Sequence, residues 1–477
     1  GRSNHQWVQR PTYMARVTMV DVGMLIRGAE MVLPDGRVTA GDVRVTAGSI
    51  ETVAVGGGLE PRSGETVIDA EGLHLIPGAI DPQVHFREPG QPHKETLSSG
   101  ARAAVAGGVT AYLDMPNNIP AATSLDGMRA KLDAGARTSV ANYGFFIGAT
   151  PDNLASLQEA VGTPDSPISH PGICGIKIFM GSSTGDLLVD KEEAQRRIFE
   201  GTAGIIAVHA EDQERLQSRA AQFTGRTDVL AHAEHRDAEA ALLATQQAVG
   251  MAEDSEHRLH VLHLTSGLEA DWLAGRTGEL VTTEVCPQHL TFTDEDVGQQ
   301  GTRLQMNPPI RYADDRETLW RRLHDGTICC IATDHAPHTL DEKGLGYPQA
   351  PAGMPGVETS LPVMLTHALE GRCSISDVVR WMCAGPAECY GIEGKGRLQE
   401  GGDADLVLVD METRRVIEDS DAWTTVGWTP FRGRELTGWP VLTVVGGVPV
   451  HRRRADGPLR GESLVGGHET GEALRFG

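Results

Sequence analysis

The sequence predicts an α/β protein: a (β/α)8 TIM-like barrel carrying a small β-sandwich domain formed by the N- and C-terminal segments. Three observations predict it. Eight short apolar runs alternate with longer helix-like stretches, the pattern of parallel strands buried on both faces. The chemically capable side chains sit at the C-terminal ends of these runs, where barrel enzymes carry their reactive groups. Short alternating segments punctuated by Gly, Asp and Pro flank this middle on both sides. The 477 residues supply a large core, and the 57 glycines suit many tight strand-to-helix turns.

Taken in order, residues 1–18 lack an apolar leader segment and read as a poorly ordered extension. Residues 19–75 contain MLIRGAEMVL, GDVRVTAGSIETVAV and ETVIDAEGLHLI, which read as strands and hairpins. The barrel is expected over 76–390, its strands being IPGAIDPQVHF, GVTAYLDMPN, NYGFFIGAT, GICGIKIFMG, GIIAVHAE, RLHVLHLTS, LVTTEVCPQ and TICCIATDH. Strand texture returns over 391–451 in DADLVLVD, RRVIED and PVLTVVGGVPV, so the two flanks are expected to build one composite domain. Residues 452–477 are glycine-rich and read as a flexible tail.

Composition narrows the function. Acidic residues outnumber basic ones 65 to 42, a formal charge of -23, which argues against nucleic acid or an anionic membrane as partner. No run of apolar residues is long enough to span a bilayer, and a cytoplasmic protein is expected. The seven cysteines lie mostly in apolar runs without a C-x-x-C pair, so they read as reduced packing residues and not as a zinc site.

The candidate chemistry sits at the strand ends. His85, His209, His263 and Asp334 offer the nitrogen and oxygen donors that borderline divalent ions such as Zn2+ prefer. Lys177 is the odd member, because an ammonium has no lone pair. Either it pairs with a buried carboxylate, or burial lowers its pKa and the neutral amine takes up CO2 to give a carbamate that bridges two metals. Asp334 reads either as a helix N-cap or as a carboxylate that takes a proton from activated water and returns it to a departing amide nitrogen. With period 2 along a strand, Gln83, His85 and Arg87 share one face. The planar fork of Arg87 matches a substrate carboxylate, the alternative being an ion pair with Glu88 or Asp114.

DPQVHFREPG, DMPN, GIKIFMGSSTG, VHAE, LHLTS, CPQHL, MNPPIR and TDHAPHT follow one another in the order of a known family. RLQEGGDADLVLVD and GRELTGWPVLTVVGG complete it near the C-terminus. From about Leu25 to Val450 the chain resembles a dihydroorotase of the cyclic amidohydrolase superfamily, and FREPG with MNPPIR favours that over a hydantoinase or allantoinase. The resemblance implies a reversible, metal-assisted hydrolysis of dihydroorotate to N-carbamoyl-aspartate in pyrimidine synthesis. It implies that His85, carboxylated Lys177 and Asp334 hold one Zn2+, and that the same carbamate, His209 and His263 hold a second. It gives Arg87 and Asn117 the substrate carboxylate, and Asn307, His338 and the backbone at Ala352 and Gly353 further contacts. A mobile segment, LDEKGLGYPQAPAGMPG, is expected nearby.

One position departs from the pattern. Gln83 stands where the family usually has a ligating histidine, and a carboxamide is a poor zinc ligand, so the first site should be weakened. His85, the carbamate, Asp334 and a solvent oxygen still make four donors, which leaves one or two ions per subunit. Some relatives have lost activity and act as scaffolds for aspartate transcarbamoylase; here the other motif residues all remain, and an active homo-oligomer is expected.

Overall fold

The computed structural model describes residues 23–183, 187–454, 457–465 and 470–477; the extension expected over 1–18 lies outside them. The chain begins with five strands, β1 (Met24–Val32), β2 (Val38–Thr46), β3 (Ser49–Val55), β4 (Thr66–Asp69) and β5 (His74–Pro77). Ala47 and Gly48, both at positive φ, close the two-residue turn between β2 and β3, the geometry that matches the natural twist of a hairpin.

Eight parallel strands follow, β6 (Ala79–Val84), β7 (Val109–Asp114), β8 (Asn142–Gly148), β9 (Ile173–Phe179), β10 (Ile206–His209), β11 (Leu259–Val261), β12 (Val281–Val285) and β13 (Cys330–Ile331). They pair in sequence order and fall within the eight apolar runs. The barrel is nearly closed, and local bonds join its first strand to its last. Val84 and His335 form a parallel bridge, and His85 N–H donates to the His335 carbonyl at 2.8 Å. Below them Asp81 accepts from Thr333 N (3.1 Å) and Thr333 Oγ1 (2.5 Å). Burial pushes this carboxyl up to about 7, because few groups offset the loss of water. The helix after the first barrel strand, α1 (Leu97–Ala106), carries a capping box: Thr96 Oγ1 accepts from Ser99 N, and Ser99 Oγ accepts from Thr96 N.

The chain then returns through β14 (Leu406–Val416), β15 (Glu435–Val445), β16 (Val448–Arg452) and β17 (Glu462–Ser463). β14 runs antiparallel to β5, with Leu408 opposite Leu75, so the chain's two flanks do meet. The small domain is one continuous nine-stranded mixed sheet, in the order β17-β16-β15-β14-β5-β1-β2-β3 with β4 also on β1. Ile26, Met31, Val43, Ile50, Leu75, Leu406 and Val444 form its core.

The tail expected over 452–477 needs correction. Residues 472–475 bond across the N-terminal ends of the barrel strands: Tyr143 N donates to Glu472 O, Leu474 N to Tyr143 O, and Gly172 N to Leu474 O (3.0, 2.9 and 2.7 Å). Leu474 and Phe476 pack with Ile80, Phe146, Ile205 and Tyr390 inside the lower barrel. The barrel floor presents apolar interior and unpaired backbone together, and this segment covers both. Among the described residues no helix is long and apolar enough to cross a membrane.

Candidate functional site

At the opposite, C-terminal end of the strands a cleft of about 350 Å³ is lined by Gln83, His85, Arg87, Asn117, Lys177, His209, His263, Asn307, Asp334, Ala352 and Gly353. The residues come from the ends of β6, β7, β9, β10, β11 and β13 and from two loops. Strand alternation does not explain all of them. Arg87 (φ 59°), His263 (φ 38°) and Asp334 (φ 48°) lie past their strands in the left-handed region, which turns each side chain into the cleft from a backbone that L-residues disfavour. Asp334 caps no helix.

On one side stand His209, His263 and Lys177, each about 1% exposed. Glu211 accepts from His209 Nε2 (2.8 Å) and is itself held by Arg236. Burial alone would raise the Glu211 carboxyl, but the Arg236 charge and the His209 bond outweigh it and hold it well below the usual range. A carboxylate there requires Nε2–H on His209, so Nδ1 carries the lone pair, and that atom faces His263 Nε2 at 3.1 Å. Burial lowers both imidazoles, His263 well below the ordinary value, so both rings are neutral ligand forms. Lys177 Nζ has no hydrogen-bond partner among the described residues. Burial brings its pKa down to about 7 against the opposing pull of Asp334 and Glu284. Among the described residues no carboxylate bonds to it, as a structural lysine would require.

On the other side Asp334 Oδ1 accepts from Gln83 Nε2 (3.1 Å) and lies 3.0 Å from His85 Nε2. His85 Nδ1 meets Asn117 Oδ1 at 2.6 Å, which places a proton on Nδ1. His85 Nε2 thus faces a carboxylate oxygen, an arrangement that a cation shared between the two would stabilise. Gln83 is buried, and its Oε1 has no hydrogen-bond partner among the described residues. The orphaned lysine, the facing imidazole nitrogens and this acceptor pair together suit one or two divalent ions.

Across the cleft lies a cationic wall. Arg87, 2% exposed, donates to the Pro337 carbonyl (3.3 Å) and sits 3.3 Å from His338 Nε2; among the described residues no carboxylate pairs with it. Glu88 is occupied by Leu97 N and Asp114 by Lys131, so neither neutralises it. Burial lowers the Arg87 guanidinium to about 10, and it stays charged. His338 does not line the cleft. It stands behind Arg87, between Lys94 Nζ (3.0 Å) and the Ala352 carbonyl (3.1 Å). The segment 340–356, expected to be mobile, is folded against the barrel: Lys343 Nζ donates to the carbonyls of Gln305, Pro351 and Gly353 (3.0, 2.8 and 2.9 Å). Gly353 (φ 137°) comes so close that a Cβ there would meet the Ala336 carbonyl at 2.5 Å.

Sequence reasoning passed over Phe179, Ser183 and Ala336, which also line the cleft, and Glu211, which orients His209. Glu211 had a signal: in VHAE, period 2 places it beside His209.

A (β/α)8 barrel whose mouth gathers imidazoles, a carboxylate and an unpaired buried lysine defines a metal-dependent hydrolase. Comparison with known proteins sharpens this. The model of the amidohydrolase family matches residues 74–450, and the chain belongs to that family. It is 38% identical to a dihydroorotase of Halobacterium salinarum, covering 88% of this chain and 95% of that one. It is 35% identical to an allantoinase of Streptomyces avermitilis over 88% of this chain and 93% of that one. Among solved structures, the L-hydantoinase (dihydropyrimidinase) from Arthrobacter aurescens superposes with a TM-score of 0.85 at 27% identity, covering 94% of this chain and 99% of that one. The protein is a metal-dependent cyclic amidohydrolase.

Proposed function

We propose that the chain is a dihydroorotase, opening dihydroorotate to N-carbamoyl-aspartate and closing it again. One observation carries the choice of ring: Arg87 is a buried guanidinium with no ion-pair partner among the described residues, facing the cleft. A buried charge left unpaired is costly, and a substrate carboxylate meets it with two parallel hydrogen bonds. Dihydroorotate brings that carboxylate; allantoin and hydantoin rings do not.

His85, carboxylated Lys177 and Asp334 would hold one ion, and the same carbamate with His209 and His263 the second. When bound, such ions supply Lewis acidity that polarises the ring carbonyl and acidifies water. The remaining work falls to side chains. Arg87, Asn117 and Asn307 hold the substrate, with the backbone at Ala352 and Gly353 against its amide edge. The Asp334 carboxylate takes the proton of the attacking water as the C–O bond forms. It then hands that proton to the ring nitrogen as the C–N bond breaks, leaving a ureido group and a carboxylic acid that gives its remaining proton to solvent. Gln83, donating to Asp334, makes the His85 side the weaker metal site. The same reading carries a cytosolic homo-oligomer; co-elution with an added aspartate transcarbamoylase would decide for a scaffold role.

The test is turnover of dihydroorotate, allantoin and hydantoin by zinc-replete protein, with Arg87→Ala alongside. We expect dihydroorotate to be preferred, and its KM to rise roughly 10- to 100-fold in the variant, matching about 1.5–3 kcal/mol for a charged hydrogen-bonded contact. Zinc-replete protein that turns over none of the three defeats the enzyme reading. The likeness to an allantoinase supports a second ring, and an unchanged KM for dihydroorotate in Arg87→Ala would favour it.

A further inference from the structure

At the floor of the barrel, in a chain without a C-x-x-C pattern, three cysteines converge. Cys330 opens the last barrel strand with Cys329 just before it, and Cys389 is the last residue but one of the helix (Gly385–Tyr390) that plugs the floor. Their sulfurs all lie within 4.8 Å of one another, and Cys329 Sγ is 2.9 Å from Cys389 Sγ. Unbonded heavy atoms ordinarily stand about 3.5–4 Å apart, so this is closer than two packed thiols settle. Thiolates on one tetrahedral zinc, at about 2.3 Å each, are separated by roughly 3.8 Å; the three sulfurs lie within that range of one another once Cys329 and Cys389 draw apart from their present contact.

We propose that Cys329, Cys330 and Cys389 form a second metal site, separate from the cleft, for a thiophilic cation of the Zn2+ type. Soft sulfur ligands select such ions over the oxygen-seeking Mg2+ and Ca2+. The surroundings suit a thiolate site. Thr283 N donates to Cys329 Sγ (3.4 Å), the backbone contact that steadies a metal-bound sulfur, while the Thr283 carbonyl at 2.9 Å accepts the thiol proton when the metal is away. Three thiolates and a dication leave one negative charge, and Arg258, bonded to the Cys389 carbonyl at 2.7 Å, stands beside it. Cys330 and Cys389 are buried, but Cys329 is partly exposed and gives solvent and metal a way in. His260 is bonded to Thr282 and Glu284, so the fourth position falls to solvent on the Cys329 side. A metal here would tie the last strand to the plug, fastening the floor as Val84 and His335 fasten the mouth.

The site stands independently of the substrate reading, because its donors are sulfur and those of the cleft are nitrogen and oxygen. The test is titration of reduced, full-length protein with Cd2+, followed by near-ultraviolet absorption. One equivalent should produce a thiolate-to-metal charge-transfer band that nitrogen and oxygen donors cannot give. Cys329→Ser and Cys389→Ser should each lose that band and about one equivalent of zinc, while the metal of the cleft and the turnover stay. Absence of the band in the unaltered protein overturns the proposal even if the variants misfold. So does an intact mass of air-exposed protein lower by two hydrogens with the Cys329–Cys389 pair linked, which would make the cluster a disulfide.

Discussion

The two sides of the cleft are built to different standards. The side of His209 and His263 is preset: Glu211 and Arg236 fix one imidazole, and Glu284 Oε1 accepts from His263 N at 3.2 Å beneath the other. The side of Gln83, His85 and Asp334 has a carboxamide where a second imidazole would stand, and its parts hold one another. Metal affinity should therefore be lopsided, with the orienting carboxylates carrying the strong half and Gln83 limiting the weak one.

The sharpest way to break this contrast is Lys177→Ala, since the proposed carbamate belongs to both halves. Loss of metal from both and of detectable turnover is expected, read by metal analysis and steady-state assay; retention of the strong ion would show that the halves are independent. For unaltered protein stripped of metal, recovery should need bicarbonate. It should also quicken as pH rises through about 7, because the lowered pKa leaves the amine protonated below that value and neutral above it. Next in size is Asp334→Asn, which should lower kcat by about 10³-fold while metal is retained on the histidine side. Glu211→Gln removes the orienting charge from the strong half, and a 10- to 100-fold weaker ion there is expected by competition with a chelator. The smallest effect belongs to Gln83→His, which should tighten the weak half by roughly tenfold. Equal affinity in the two proteins would show that Gln83 was never the limit.

Much of the fold was legible, because each barrel strand lies within a largely apolar run, and six of the eight runs end in a chemically capable polar residue. Those ends also marked His85, Lys177, His209, His263 and Asp334, all of which the fold brings to one cleft. What could not be read has physical reasons. The floor-sealing segment 472–476 is anchored largely by backbone hydrogen bonds and offers few apolar side chains, Leu474 and Phe476 foremost, too few for a periodic signal. His338 shares a motif with Asp334, yet a chain turn sends it behind Arg87. Cys329 and Cys389 are 60 residues apart, and their meeting depends on how the helix before Gly391 folds under the barrel.

The left-handed backbone at Arg87, His263 and Asp334 has a consequence for how this protein can be improved. Each such residue costs roughly 1–3 kcal/mol, a sizeable part of the net stability of a typical domain. Glycine would relieve that cost at all three positions and remove the cleft's working groups with it. A search for heat-resistant variants should therefore collect inactive winners here, whereas hardening the outer helices or the small sheet leaves catalysis alone. Among the described residues the backbone share of this conflict between durability and turnover falls on three positions, and an engineer can simply leave them untouched.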